Sequence, residues 1–444
     1  MKLSKKYISE NEGCVEFALK AAKRFGADQA EVALSIDDGL SVSVRNGDIE
    51  TLEYHQDKGL AVTVFINQCT GSANTSDLSE NAIKQTVKIA TEIARFTAKD
   101  EYSGLADEED LASEFLDLSL HSPWGVDVDE AVDLAHTCED AAFKSDKRIV
   151  NSEGATVTSH EAFQVYGNSH GFLASYPSSQ HSLGCSVIAS EGDGMQRDHW
   201  YTSDRDACFL EAPAKVGKQA AKRALARLNA QKISTTKAPV LFSPDVSSGL
   251  LSHFLSAISG GSLYRKSTFL LDHLEKQVFP DWMHIIEQPH IIAGPASRPY
   301  DSEGVKTRSR NIIEQGVLQA YVLDSYSARK LNMKTTGNAG GIHNLIVDPG
   351  KHNFKAMLKL MDRGLLVTEL MGQGINIVTG DYSRGAAGFW VENGKIQYPV
   401  EEITIAGNLK DMFEQIVAVG NDVDLRRNVR VGSVLIPEMM VSGN

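Results

Sequence analysis

The chain has 444 residues, more than one compact core holds, so two or three domains are expected. Its 44 basic and 58 acidic residues leave a net charge of −14 with histidine neutral, which repels phosphate backbones and anionic lipid headgroups; direct contact with nucleic acid or a membrane surface is not expected. Apolar residues at 42% and charged residues at 23% are globular proportions, which excludes wholesale disorder and a fibrous fold.

The first segment predicts a helix, with Val15, Phe17, Ala18, Ala21, Ala22 and Phe25 at helical spacing and Gly26 as a stop. Alternation follows at Ala30, Val32 and Leu34 and again over 40–44, and Asn46-Gly47 is a strong hairpin signal. Residues 60–66 predict another strand, and a helix over 80–96 is opened by Ser76-Asp77 and apolar at Ile83, Val87, Ala90 and Ala94. The same order then returns: a helix over 128–143, strands from Arg148 through Phe163, Leu173 and Leu183, and a helix over 213–228. Residues 98–123, rich in Asp, Glu and Ser, read as the linker between two copies, so order and spacing suggest an internal duplication.

After residue 235 glycine and β-formers dominate. Three helices are expected there, over 247–258, 325–331 and 409–413, with short strands over 364–370, 375–378, 389–391 and 396–399 and a hairpin at Asn393-Gly394. The fold class is therefore α+β: helix–antiparallel strands–helix units over 1–110 and 124–232, then a β-rich domain over 236–444. No window reaches the roughly 20 apolar residues of a membrane helix. No secretory signal follows the early lysines, and the five scattered cysteines contain no CxxC pair, so a soluble, cytoplasmic protein with reduced thiols is expected.

Local motifs are incomplete. His160-Glu161 begins an HExxH zinc motif, but Gln164 stands where the second histidine belongs and the alternation around it fits a strand. Gly167-Asn168-Ser169-His170-Gly171 matches the nucleophile-elbow pattern, which would make Ser169 a nucleophile; an apolar strand follows instead of a helix, so a hairpin turn is the simpler reading. The stretch from Gly260 to Ser267 departs from a P-loop at Arg265 and follows a helix rather than a strand. Gly372 and Gly374 lack the third glycine of a dinucleotide fingerprint. His253 lies in an apolar helix, and His284, His290 and His343 could meet only through folding.

The C-terminal half carries six unusual segments in order: Arg298-Pro-Tyr-Asp301-Ser-Glu303-Gly304-Val-Lys-Thr307, Gly316-Val-Leu318, Ser327-Ala328-Arg329, Thr336-Gly337-Asn338-Ala339, the run from Asp381 to Gly388, and Gly420-Asn421-Asp422. Together they resemble the TldD/PmbA family, once labelled modulators of DNA gyrase, and the resemblance extends over nearly the whole chain.

It implies a cytoplasmic zinc peptidase built from a pair of related chains. In the TldD type a helix carries His-Glu-x-x-x-His with a cysteine ligand near the C-terminus, leaving one zinc position open for the attacking water. Aligned on Arg265-Lys266-Ser267-Thr268, those positions fall here on Ser252, His253 and Ala257, and no cysteine follows Gly420. The chain thus resembles the metal-free PmbA (TldE) type, with no cofactor of its own and zinc expected in a TldD-type partner. The resemblance further implies flexible or unfolded peptides as substrates, including peptide-antibiotic precursors and antitoxins, and leaves open a homodimer of the isolated chain. Arg265 and Lys266 are candidates for attracting substrate carboxylates. Two other readings stay open: a serine hydrolase using Ser169, and a non-enzymatic interaction module acting indirectly on a gyrase or a toxin system.

Overall fold

The computed structural model describes residues 4–443. Helix α1 (Lys5–Arg24) starts at Ser4, whose Oγ accepts from the Tyr7 amide at 3.1 Å, and stops before Gly26 at φ +90°. Strands β1 (Gln29–Arg45) and β2 (Asp48–Ile66) join through Asn46-Gly47, both in the left-handed region that a tight hairpin requires. Then come β3 (Cys69–Thr75) and α2 (Glu80–Phe96). The second unit repeats the order: α3 (Val128–Phe143), opened by a reciprocal capping box between Asp127 and Glu130, then β4 (Ile149–Asn168), β5 (Leu173–Glu191), β6 (Gly194–Asp204) and α4 (Pro213–Ala226).

The two units share one sheet. Strand β1 pairs antiparallel with β4 from Glu31 opposite Asn168 to Val44 opposite Ala155, giving the order β3-β2-β1-β4-β5-β6. Ala30, Val32 and Leu34 of β1 pack into the core with α1 and α2, while Leu40, Val42 and Val44 pack into the core with α3 and α4. These residues alternate along one strand, so all four helices cover the same face. Two glycines permit the close fit: a Cβ at Gly71 would strike the backbone of Ala90 and Ala94 in α2, and one at Gly217 would strike the Cys138 carbonyl in α3. The two alternating stretches of the sequence are one strand, running through Asp37-Asp38.

The C-terminal region packs two sheets around its own core. One, ordered β10-β9-β8-β11-β16, uses β8 (Ile285–Gln288), β9 (Arg310–Glu314), β10 (Val317–Leu318), β11 (Asn344–Val347) and β16 (Val429–Arg430). The other, ordered β14-β13-β12-β7-β17-β15, uses β7 (Thr236–Phe242), β12 (Gly364–Met371), β13 (Asp381–Glu392), β14 (Lys395–Asn408), β15 (Ala418–Val419) and β17 (Val434–Ser442). Helix α5 (Pro244–Ala257) buries Leu250, Leu251 and Phe254 in that core, and α6 (Gly260–Tyr264), α7 (Ser325–Lys330), α8 (Phe354–Met361) and α9 (Leu409–Glu414) complete the region.

Two expectations fail here. Helices α6 and α8 were not anticipated: α6 spans only Gly260–Tyr264, and α8, capped by Asn353, buries only Met357, Leu358 and Met361, patterns too short to stand out. Residues 375–378 form a turn rather than a strand, because the Asn376 side chain accepts from the Val378 amide at 2.9 Å and its carbonyl accepts from Gly380.

Candidate functional site

The sheet face away from the helices forms one wall of a cleft against the C-terminal region. On it Ser35 lies opposite Gly59 of β2 and Gln164 of β4, and Gln164 lies opposite Tyr176 of β5. In the next row Ala33 lies opposite Ala61 and Tyr166. The small residues of β1 and β2 leave a trough of about 410 Å³, closed on its other side by the loop carrying Arg298, Tyr300 and Asp301. Gln164, Tyr176 and Arg298 also line a hollow of about 160 Å³. Pro295 and Ala296 divide that hollow from one of about 470 Å³ over α5, lined by Ser248, Ser252 and Arg427. The shared linings make these spaces neighbours along a single interdomain cleft.

The loop that closes the trough is held by buried polar groups. The Asp301 carboxylate accepts from the amides of Glu303, Val305 and Ala339, each at 2.9 Å. Burial, then the nearby Glu303 carboxylate, push its pKa up to about 7 against the pull of those amides. Glu303 is also raised by burial, although it accepts from the Ser325 amide at 3.0 Å. Across the interface Glu31, raised by burial as well, accepts from the Tyr166 hydroxyl at 2.8 Å. Nearby, the Glu287 carboxylate accepts from Arg310 Nε at 2.8 Å, Asn338 Nδ2 at 2.7 Å and His343 Nδ1 at 2.7 Å. Burial alone would raise Glu287, but His343 and Arg310 hold it below the usual carboxylate range.

Arg205 ties the walls together. It is 9% exposed and donates to the carbonyls of Leu120, Ser179, Gly294 and Pro295, joining the inter-unit segment, β5 and the C-terminal region. Arg329 does the same for the 98–123 segment, donating to the carbonyls of Tyr102, Gly104 and Leu105 and to Asp107.

The three positions of the family's zinc helix face three different surroundings. Ser252 is exposed on the cleft and donates Oγ to the Ser248 carbonyl at 2.9 Å. His253 packs edge-on against Tyr382 with ring centroids 6.0 Å apart; its Nε2 is buried without a hydrogen-bond partner among the described residues, and burial, with Arg384 nearby, lowers its pKa. Ala257 is wholly buried, and its carbonyl accepts from Thr268 Oγ1 at 2.7 Å. Zinc needs imidazole, thiolate or carboxylate donors converging on one point. These residues do not fit it, and among the described residues no three His, Cys, Asp or Glu side chains form a metal-binding group.

Other sequence candidates stay apart from the cleft. Ser169 sits in the hairpin turn between β4 and β5, and its Oγ accepts from the Ala30 amide at 3.0 Å, so the strand-to-helix elbow is not formed. His160 and Glu161 lie on β4, with His160 Nε2 3.2 Å from Asp37 and Glu161 2.9 Å from His121 Nε2. Arg265 and Lys266 are exposed at the end of α6, Arg265 stacked on Tyr264, and neither lines the three hollows. Of the three histidines that could meet only through folding, His290 Nε2 bonds Thr307 Oγ1 at 2.8 Å and His343 Nδ1 bonds the Glu287 carboxylate at 2.7 Å. Sequence reasoning missed Arg298, Tyr300, Asp301 and Glu287 as site residues; the density of polar and aromatic residues between 298 and 307 was the available signal.

Sequence models of the PmbA/TldA metallopeptidases match three stretches: domain 1 over residues 30–94, the central domain over 121–228 and the C-terminal domain over 235–443. Over 443 residues the chain is 52% identical to the Metalloprotease PmbA homolog of Haemophilus influenzae, covering 100% of this chain and 98% of that one. It is likewise 52% identical over 449 residues to Metalloprotease PmbA of Escherichia coli O157:H7, covering 100% of both. The crystal structure of a candidate modulator of DNA gyrase from Bacteroides thetaiotaomicron matches with a TM-score of 0.93 at 29% identity, over 98% of this chain and 99% of that one. With its three domain matches and these full-length relatives, the chain belongs to the PmbA/TldD metallopeptidase family.

Proposed function

We propose that this chain is the PmbA/TldE-type, metal-free subunit of a two-chain cytoplasmic peptidase that acts on unfolded or flexible peptides, in proteolysis, peptide maturation or antitoxin turnover. Zinc and the water it activates belong, in this reading, to a homologous TldD-type partner. The observation that carries it is the α5 helix: Ser252 is bonded to its own helix, His253 packs on Tyr382 and Ala257 is sealed in the core, while the cleft beside them stays open. An extended peptide gains sequence-tolerant affinity by adding main-chain hydrogen bonds to a strand edge, and the β-rich region supplies such edges. The exposed Arg265 and Lys266 would offer charge to a substrate at the surface, outside the cleft.

The test is to purify the chain alone and together with a TldD-type partner, then measure peptide cleavage and bound zinc. Cleavage and stoichiometric zinc are expected only with the partner. Robust cleavage by the isolated chain, with zinc bound to it, would overturn the division of labour.

A further inference from the structure

We propose that Arg298 and the Tyr300 hydroxyl form a receptor for a carboxylate carried by a peptide lying in the trough. This deepens the peptidase-subunit reading and rests on it. Arg298 is half-buried, and among the described residues its guanidinium makes one hydrogen bond, from Nη1 to Ser302 Oγ at 3.2 Å. No carboxylate lies within 4.0 Å of it among the described residues, although acidic residues outnumber basic ones 58 to 44. The other buried guanidiniums nearby are occupied: Arg310 by Glu287, and Arg205 by four carbonyls.

Tyr300 supplies the second, independent observation. It is 4% exposed and lines the trough, its ring packs on Phe115, Phe172 and Tyr176, and its hydroxyl is buried with no hydrogen-bond partner among the described residues. Buried polar atoms are nearly always bonded, so one left open beside a cavity points to a partner that arrives with a ligand. The space beside Arg298 is also kept clear: a Cβ at Gly340 would strike Ser302 Oγ and crowd Arg298 Nη1.

The chemistry selects the ligand. A guanidinium presents parallel N–H donors that match the two oxygens of a carboxylate, and a phenol O–H supplies one more donor. The small residues Ala33, Ser35, Gly59 and Ala61 leave room for a peptide backbone across the strands. The carboxylate is either the C-terminus of the peptide or an acidic side chain, and these two sources are separable.

Three fluorescent peptides of one neutral sequence serve as probes for the full-length chain: one with a free C-terminus, one amidated, and one amidated with a single internal Glu. At least one carboxylate peptide is expected to bind about tenfold or more tightly over the neutral amide, the size of one charged hydrogen-bonded contact, and the winner names the source. Arg298→Gln should abolish that preference and Arg298→Lys should keep part of it. Tyr300→Phe should reduce it severalfold while leaving the melting temperature unchanged or higher, because the hydroxyl bonds nothing in the free chain; this variant decides the matter if Arg298→Gln does not fold. Equal binding of all three peptides, or a preference that survives both variants, would overturn the inference and leave the peptidase reading standing. Binding of no peptide at all would overturn the inference, while the subunit reading stands or falls on the two-chain cleavage assay.

Discussion

Two buried carboxylates, Glu287 and Asp301, sit on either side of the Asn338-Ala339 peptide and solve the same problem differently. Glu287 is 1% exposed and meets charged or chargeable partners, Arg310 and His343, together with the Asn338 amide. Asp301 is equally buried but meets only neutral backbone amides, with a second carboxylate, Glu303, close by. The first is held below the ordinary carboxylate pKa and the second is raised to about 7. The difference shows that neutral donors satisfy the hydrogen-bonding capacity of a carboxylate without compensating the loss of water around its charge; an opposite charge does both.

The sharpest way to break this comparison is to remove Glu287. Glu287→Ala leaves Arg310 and His343 facing an empty centre and should cost about 3–5 kcal/mol, read from the urea midpoint. A loss under about 1 kcal/mol would mean that the pair adds nothing beyond its surroundings. Arg205 is the cationic mirror of Asp301, a buried charge among neutral carbonyls, and Arg205→Met should cost about 3 kcal/mol by leaving those carbonyls unpaired.

Next in size comes pH. A carboxyl whose folded pKa is raised contributes stability that is present below its unfolded pKa and is lost as pH rises through the folded value. For Asp301 stability should therefore fall between about pH 4 and pH 7, by up to about 1.4 kcal/mol per pH unit, and Asp301→Asn should flatten that limb. Glu287 works in the opposite sense: its contribution is present above the ordinary carboxylate range and is lost as pH falls through its depressed folded value, a limb that Glu287→Gln should remove. Urea midpoints measured across pH for the wild type and both variants separate the two. Ser169→Ala sets the floor. Its hydroxyl accepts from the Ala30 amide in a turn outside both networks, so stability should fall by about 1 kcal/mol while peptide cleavage by the two-chain preparation should be unchanged. Abolished cleavage would restore the serine-hydrolase reading.

Much of this architecture was legible where the signal is local. The helices at 80–96 and 128–143 follow from apolar spacing, although Ser79 rather than Ser76-Asp77 caps the first, and the turns at Asn46-Gly47 and Asn393-Gly394 follow from left-handed backbone. What stayed hidden is non-local. Leu34 pairs with Val165 across the two units, and nothing in either strand names the other. The middle of β2, from Tyr54 to Lys58, is exposed and polar, so alternation faded although the strand continued. The site was hidden for the same reason. Arg298, Asp301 and Glu303 were noticed as members of an unusual segment, but Asp301 meets Ala339 38 positions away and Glu287 meets His343 56 positions away. The unusual segment held Arg298, Asp301 and Glu303 but not Glu287, and only folding shows that the trough closes over them.

The joining of β1 to β4 has a consequence for how such a chain arises. These are the first strands of their respective units, they run antiparallel, and the sheet reads symmetrically outward from their seam as β2-β3 on one side and β5-β6 on the other. That is the geometry of a two-fold homodimer, in which one subunit's edge meets the identical edge of its twin. A single ancestral unit would have exposed that edge and gained stability by pairing with itself, and two copies joined in one chain would make that encounter intramolecular.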